Sequence, residues 1–140
     1  HAERRMTLGQ IAQAIRRADE VGLLSMVCAD SAAEAAALAY LGPNMIMAEP
    51  PDLIGGAQSV AKVQREFIVR TLEAVRRINP EILIFNSAGI RSGDDAAAVI
   101  RFGADGTGST SGVLTAPDPV AKLDEMMAAV SAAWRERGGR

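Results

Sequence analysis

The stretch Gly22-Leu23-Leu24-Ser25-Met26-Val27-Cys28-Ala29-Asp30-Ser31 decides the fold class. Residues 23–29 form a short apolar run, the mark of a buried strand. Asp30 and Ser31 end it, and Ser31 with Glu34 has the spacing of a capping box that opens a helix. That helix is alanine-rich, runs to Leu41 and stops at Gly42-Pro43. A second apolar run follows at once, Asn44-Met45-Ile46-Met47-Ala48-Glu49. Strand, helix and strand within so few residues is a parallel crossover unit.

The same alternation continues in both directions. Upstream, Thr7 and Gln10 make a capping box before a helix that lines Leu8, Ile11, Ile15 and Ala18 on one face and closes at Gly22. Downstream, residues 50–59 read as a ten-residue loop, long enough to act as a lid or binding loop. A helix spans about 60–78, with Val63, Phe67, Leu72 and Val75 inward, and Asn79-Pro80 breaks it. The third strand is 81–86, and Ser87-Ala88-Gly89-Ile90 is a tight loop. A helix over about 94–102 leads to a fourth strand at 104–110. Asp118-Pro119 then starts the last helix, with Val120, Leu123, Met127 and Val130 inward. Five helices alternating with four strands, at 23–29, 44–49, 81–86 and 104–110, predict an α/β parallel sheet in one unit over residues 1–140. Periodicity leaves open whether the sheet is doubly wound or part of a (β/α)₈ barrel.

Composition excludes several classes. The 140 residues are 49% hydrophobic and 23% charged, which fits a globular core and excludes whole-chain disorder. A net charge of −2 lacks the basic excess of a nucleic-acid binder. No apolar run has the roughly 18–20 residues of a membrane span. A single cysteine, Cys28, excludes a disulfide scaffold and points to a reducing, cytoplasmic setting. The sequence opens on His1 with no initiator Met and no signal segment. This predicts a processed N-terminus or a piece of a longer chain.

Both parallel architectures place ligands at the carboxyl ends of their strands. Chemistry is therefore expected at Asp30-Ser31, at Glu49 with its long loop, at Asn86-Ser87-Ala88-Gly89 and at Thr110-Ser111-Gly112. Small-residue loops expose backbone N–H groups that suit a phosphate. The residues by themselves point to a phosphorylated small molecule handled by a carboxylate base.

Four motifs add a resemblance. His1-Ala2-Glu3-Arg4-Arg5 resembles the histidine motif of the triosephosphate isomerase family, in its compact archaeal form. Ala48-Glu49-Pro50-Pro51-Asp52-Leu53-Ile54-Gly55 resembles that family's catalytic glutamate and the start of its lid. Ser87-Ala88-Gly89-Ile90-Arg91-Ser92-Gly93-Asp94 is similar to its seventh-strand phosphate loop. Ala104-Asp105-Gly106 with Ser111-Gly112-Val113 is similar to its eighth strand. The motifs occur in family order, and the 48-residue step from His1 to Glu49 matches the family's spacing.

The resemblance implies a TIM (β/α)₈ barrel of which this chain supplies roughly strands 5–8 and helices 4–8, since a full barrel takes about 250 residues. It implies interconversion of dihydroxyacetone phosphate and glyceraldehyde 3-phosphate, a glycolytic and gluconeogenic step. Glu49 is the implied base and His1 the neutral electrophile. Ile54, Gly55, Gly89, Thr110, Ser111 and Gly112 are the implied phosphate-binding positions. No metal and no cofactor are implied. The implied partners are a small sugar phosphate, the N-terminal barrel half in the same or a separate chain, and further copies in a homo-oligomer.

The sequence departs from the family in four respects. Ala2 stands where the family has serine, and Gly56-Ala57 where its lid has Thr-Gly. Thr107-Gly108-Ser109-Thr110 is polar where the eighth strand is aliphatic, and its hydroxyls need partners if buried. Nothing matches the family's first strand and its substrate-binding lysine, since Lys62 and Lys122 lie in helical segments. The 140 residues are therefore expected to need a missing N-terminal half for activity. The alternatives are an isomerase for another small sugar phosphate, such as a tetrose, or a non-catalytic phosphate-binding half-barrel.

Overall fold

A computed structural model describes His1, residues 3–53 and residues 65–138. The expected positions Ile54 and Gly55, and the altered pair Gly56-Ala57, lie outside the described residues. Three strands, β1 (Met26–Ala29), β2 (Met45–Ala48) and β3 (Leu83–Phe85), form a parallel sheet in the order β1-β2-β3. Six α-helices accompany them among the described residues, the last three following β3: α1 (Leu8–Glu20), α2 (Ala32–Ala39), α3 (Arg65–Arg76), α4 (Gly93–Arg101), α5 (Ser111–Leu114) and α6 (Pro119–Glu136). A single 3₁₀ turn, Pro51–Leu53, follows β2.

Local sequence explains the helix starts. Thr7 and Gln10 form the expected capping box, each side chain meeting the other's backbone N–H. Ser31 caps α2 by accepting from the Glu34 N–H. The Glu34 side chain does not complete that box. It reaches one residue further back, to the Asp30 N–H, and pairs with Arg5. Asp118 caps α6 by accepting from the Val120 and Ala121 N–H groups.

Strand alternation divides the sheet into two faces. Ala29, Ile46, Ala48 and Ile84 point into a core shared with Leu38 of α2, Ile68, Leu72 and Val75 of α3, and Val99 of α4. Met26, Cys28, Met45, Met47, Leu83 and Phe85 occupy the opposite face in two registered rows, Met26-Met45-Leu83 and Cys28-Met47-Phe85. Met26 and Leu83 on that face are exposed. The continuous apolar strands thus have one face covered by helices and one that these residues leave open.

Two sequence expectations change. The strand expected at 104–110 contributes one parallel bridge, Gly106 to Phe85. The Asp105 N–H donates to Ile84 O at 2.8 Å and the Asn86 N–H to Gly106 O at 3.4 Å. Beyond Gly106, hydroxyls replace the ladder: Thr107 Oγ1 donates to Asn86 O and Ser109 Oγ to Ile90 O. The polar character of this segment is thereby satisfied.

The last helix also turns differently. Its buried residues are Met126 and Ala133, while Val120 and Met127 are 71% and 60% exposed. Small residues cause this. A Cβ on Gly93 would lie 3.0 Å from Ala129 Cβ and 3.2 Å from Glu125 O, so α6 sits close against the start of α4 on its alanine face. Leu8 of α1 is likewise exposed, whereas Ile15 is buried.

Gly106 admits no side chain, because a Cβ there would meet the Phe85 ring edge 2.6 Å away or closer. Gly106→Ala is expected to destabilise the fold by about 1–3 kcal/mol, as overpacking does. Shortening Phe85 to Leu in the same chain should recover part of the loss. Denaturant unfolding of the single and double variants checks this.

Candidate active site

The parallel register brings the strand ends to one level, and there the chain assembles a cavity of about 340 Å³. His1, Cys28, Met47, Glu49, Ser87, Gly89, Thr110 and Ser111 are among its lining residues. The backbone of Glu49 extends the ladder, its N–H donating to Ala29 O at 2.9 Å. The preceding carbonyl, Ala48 O, accepts from Asn86 Nδ2 at 2.9 Å, which ties the end of β2 to β3. Asn86 is fully buried, and its Oδ1 has no hydrogen-bond partner among the described residues. The Glu49 side chain is 16% exposed, so its carboxylate stands in a restricted opening and not in bulk water.

His1 faces that carboxylate, with Nε2 3.9 Å from Glu49 Oε2. On the other side of the ring, Nδ1 accepts from the Glu3 N–H at 3.4 Å. In a neutral ring this leaves the proton on Nε2, directed at the cavity. Of the expected site residues, His1, Glu49, Gly89, Thr110 and Ser111 therefore line one cavity. Gly89 has a φ of 70° and sits in the turn Ser87–Ile90, a left-handed conformation that glycine adopts without strain.

Gly112 is a close-packed position. It lies outside the lining, and a Cβ there would collide with Ile90 O and sit 2.9 Å from Arg91 Cα. Its contribution is close packing, which seats the one-turn helix α5 against the loop after β3. That helix was not expected from the sequence, which reads 110–112 as loop. Asp30, a strand-end candidate, is engaged by Arg5, which also binds Glu34.

The sequence offers Ser87 only as part of the loop after the third strand, with no role of its own. Its Oγ donates to Glu49 Oε1 at 2.5 Å. The signal lay in its place, since it stands directly after β3 as Glu49 stands directly after β2. Only the register of the two strands makes them neighbours. Among the described residues no group of three His, Cys, Asp or Glu side chains is placed to hold a metal, and no helix is long and apolar enough to cross a membrane.

The sequence matches the triosephosphate isomerase family over residues 1–129. It is 38% identical over 130 residues to the triosephosphate isomerase of Methanobacterium bryantii, covering 93% of this chain and 58% of that protein. The enzyme of Methanosarcina barkeri is 38% identical over 127 residues, covering 91% of this chain and 57% of its own length. The chain thus spans a little over half the length of these relatives. Among solved structures, thiamine phosphate pyrophosphorylase from Pyrococcus furiosus superposes with a TM-score of 0.67 at 21% identity, over 88% of this chain and 55% of that one. The flavin-binding domain of baker's yeast flavocytochrome b2 does so at 0.69 and 16% identity, over 93% and 34%. At such identities the likeness concerns the fold alone, a partial (β/α)₈ barrel.

Burial pushes the Cys28 thiol up from its ordinary value, and the Glu49 carboxylate pushes the same way. At neutral pH Cys28 is therefore a protonated, weak nucleophile. Iodoacetamide at pH 7.5 should alkylate it more slowly than free cysteine, with a rate still rising above the ordinary thiol range. Mass spectrometry of timed samples checks this.

Proposed function

The chain belongs to the triosephosphate isomerase family, and on that ground we propose that it carries the base and the electrophile of an aldose–ketose isomerase. Its substrates on this reading are dihydroxyacetone phosphate and glyceraldehyde 3-phosphate. The observation that carries the proposal is the facing pair, His1 Nε2 at 3.9 Å from Glu49 Oε2 at the mouth of the strands.

The reaction moves one proton between adjacent carbons. The Glu49 carboxylate removes it from the carbon next to the carbonyl, leaving an enediolate. The developing oxyanion needs a hydrogen-bond donor, and His1 Nε2–H is aimed at the cavity for that role. A neutral imidazole is closer in acidity to an enediol than an imidazolium is, so proton exchange with the intermediate is balanced. His1 Nε2–H gives its proton to the charged oxygen and takes the hydroxyl proton from the neighbouring one, and Glu49 then returns its proton to the neighbouring carbon, which leaves both groups as they began. Gly89, Thr110 and Ser111, which line the same cavity, hold the phosphate on this reading.

The reading includes a partner. The relatives are longer than this chain, and the chain supplies no match to the family's substrate-binding lysine. An N-terminal barrel half, in the same polypeptide or another, completes the site and covers the open sheet face. The whole works as a cytoplasmic homo-oligomer.

Glu49→Gln keeps the shape and hydrogen-bonding reach but removes the base. With the N-terminal half supplied, this variant should lose about a hundredfold to ten-thousandfold in kcat. His1→Gln should also lower kcat, with KM less affected. Coupled assays in both directions measure the effect, and wild-type turnover no faster than background removes the proposal.

The apolar surfaces give a second test. Leu23, Leu24 and Met26 are exposed at the β1 edge, and Leu114, Val120, Leu123 and Met127 beyond β3. Exposed apolar side chains in such number favour association. Residues 1–140 alone should self-associate in light scattering as concentration rises and become uniform when the N-terminal half is added. A monodisperse monomer at high concentration contradicts this.

A further inference from the structure

The two segments that bring Gly89 and Thr110–Ser111 to the cavity are joined by side chains and not by the sheet. Past the Gly106 bridge to Phe85, no backbone–backbone hydrogen bond links residues 86–91 to residues 107–112 among the described residues. Two hydroxyls make the link. Thr107 Oγ1 donates to Asn86 O at 2.8 Å and Ser109 Oγ to Ile90 O at 2.6 Å. Of the two, Ser109 lines the cavity and Thr107 does not.

Packing makes the Ser109 junction a close fit. A Cβ on Gly112 would collide with both Ile90 O and Ser109 Oγ. The Ile90 carbonyl, the Ser109 hydroxyl and the Gly112 backbone therefore meet at one point. Gly89 directly precedes Ile90, and Ser111 directly precedes Gly112. Residues that line the cavity thus flank the junction on both segments. An anion gripped from two segments needs its donors at a fixed separation, because a hydrogen bond weakens steeply with poor length and angle. A hydroxyl has one proton to donate, and that of Ser109 goes to Ile90 O. Ser109 can therefore place the donors of others, but it does not donate to a ligand itself.

We propose that Ser109 is a positioning residue that clasps the turn after β3 to residues 110–112 and so sets the spacing of the groups that hold phosphate. This rests on the reading in which Gly89, Thr110 and Ser111 hold phosphate, but it does not need the isomerisation. Glu49 and His1 belong to other segments. Loosening the clasp therefore weakens the hold on phosphate more than it slows the proton transfers, and it appears in KM more than in kcat.

The test compares wild type, Ser109→Ala and Thr107→Val, each with the N-terminal barrel half present. Ser109→Gly removes the same hydroxyl and replaces the alanine variant if that one does not fold. The first readout is a titration with inorganic phosphate followed by ³¹P NMR. Ser109→Ala should weaken phosphate binding about threefold to tenfold, the scale of one misplaced hydrogen bond. Thr107→Val deletes a hydrogen bond of the same kind between the same two segments, but away from the cavity lining. It should lower stability in denaturant unfolding as Ser109→Ala does, and leave phosphate affinity within about twofold of wild type.

The second readout is steady-state kinetics with dihydroxyacetone phosphate. Ser109→Ala should raise KM about threefold to tenfold and change kcat by less than about threefold. Phosphate affinity unchanged by loss of the Ser109 hydroxyl overturns the proposal. An equal loss of affinity in Thr107→Val also overturns it, because any bond between the segments would then serve. Wild-type protein that binds no phosphate overturns it as well. Phosphate binding without turnover counts against the isomerase reading alone, and the titration still decides the role of Ser109.

Discussion

Met26, Met45 and Leu83 stand side by side in a parallel ladder, and so do Cys28, Met47 and Phe85. Parallel register makes the three strands end at one level, with all their carboxyl ends on the same side. Glu49 and Ser87, 38 positions apart in the chain, meet only because of it. The ladder also sorts the side chains. Ile46 and Ile84 go to the helices, and the methionine-rich rows go to the other face. A slip of one residue would reverse both faces and separate the carboxylate from the hydroxyl.

The site is built at the rim of this sheet from elements that are individually simple. Glu49 gains its position from the strand and its partners from the ends of two other segments. His1 comes from outside the sheet, held by a local contact to the Glu3 N–H. Gly89 and Gly112 serve two separate needs, a left-handed turn and the seating of α5 on the Ile90–Arg91 backbone. The site is therefore a convergence of backbone geometry, with chemically active groups at its points.

Much of this is legible in the residues. The Thr7–Gln10 box, the Asp118 cap and the apolar strand runs act over a few positions, so local sequence carries them. Other features rest on what lies across space. The face of α6 followed from close packing of Gly93 on Ala129, which no periodicity of α6 itself encodes. Residues 104–110 have the apolar and small residues of a strand, yet a strand needs a neighbour along its length. Past Gly106 the hydroxyls of Thr107 and Ser109 take the carbonyls instead.

By itself, the sequence determined the α/β alternation and the family, and it pointed to one carboxylate and one imidazole. These rest on residue type and order, which are local or one-dimensional properties. Tertiary structure decided that Ser87 holds Glu49, that Gly112 packs on the Ile90–Arg91 backbone, and that the described residues leave one face of the sheet open. Each of these depends on distances between segments far apart in the chain, and only strand register and helix packing set such distances.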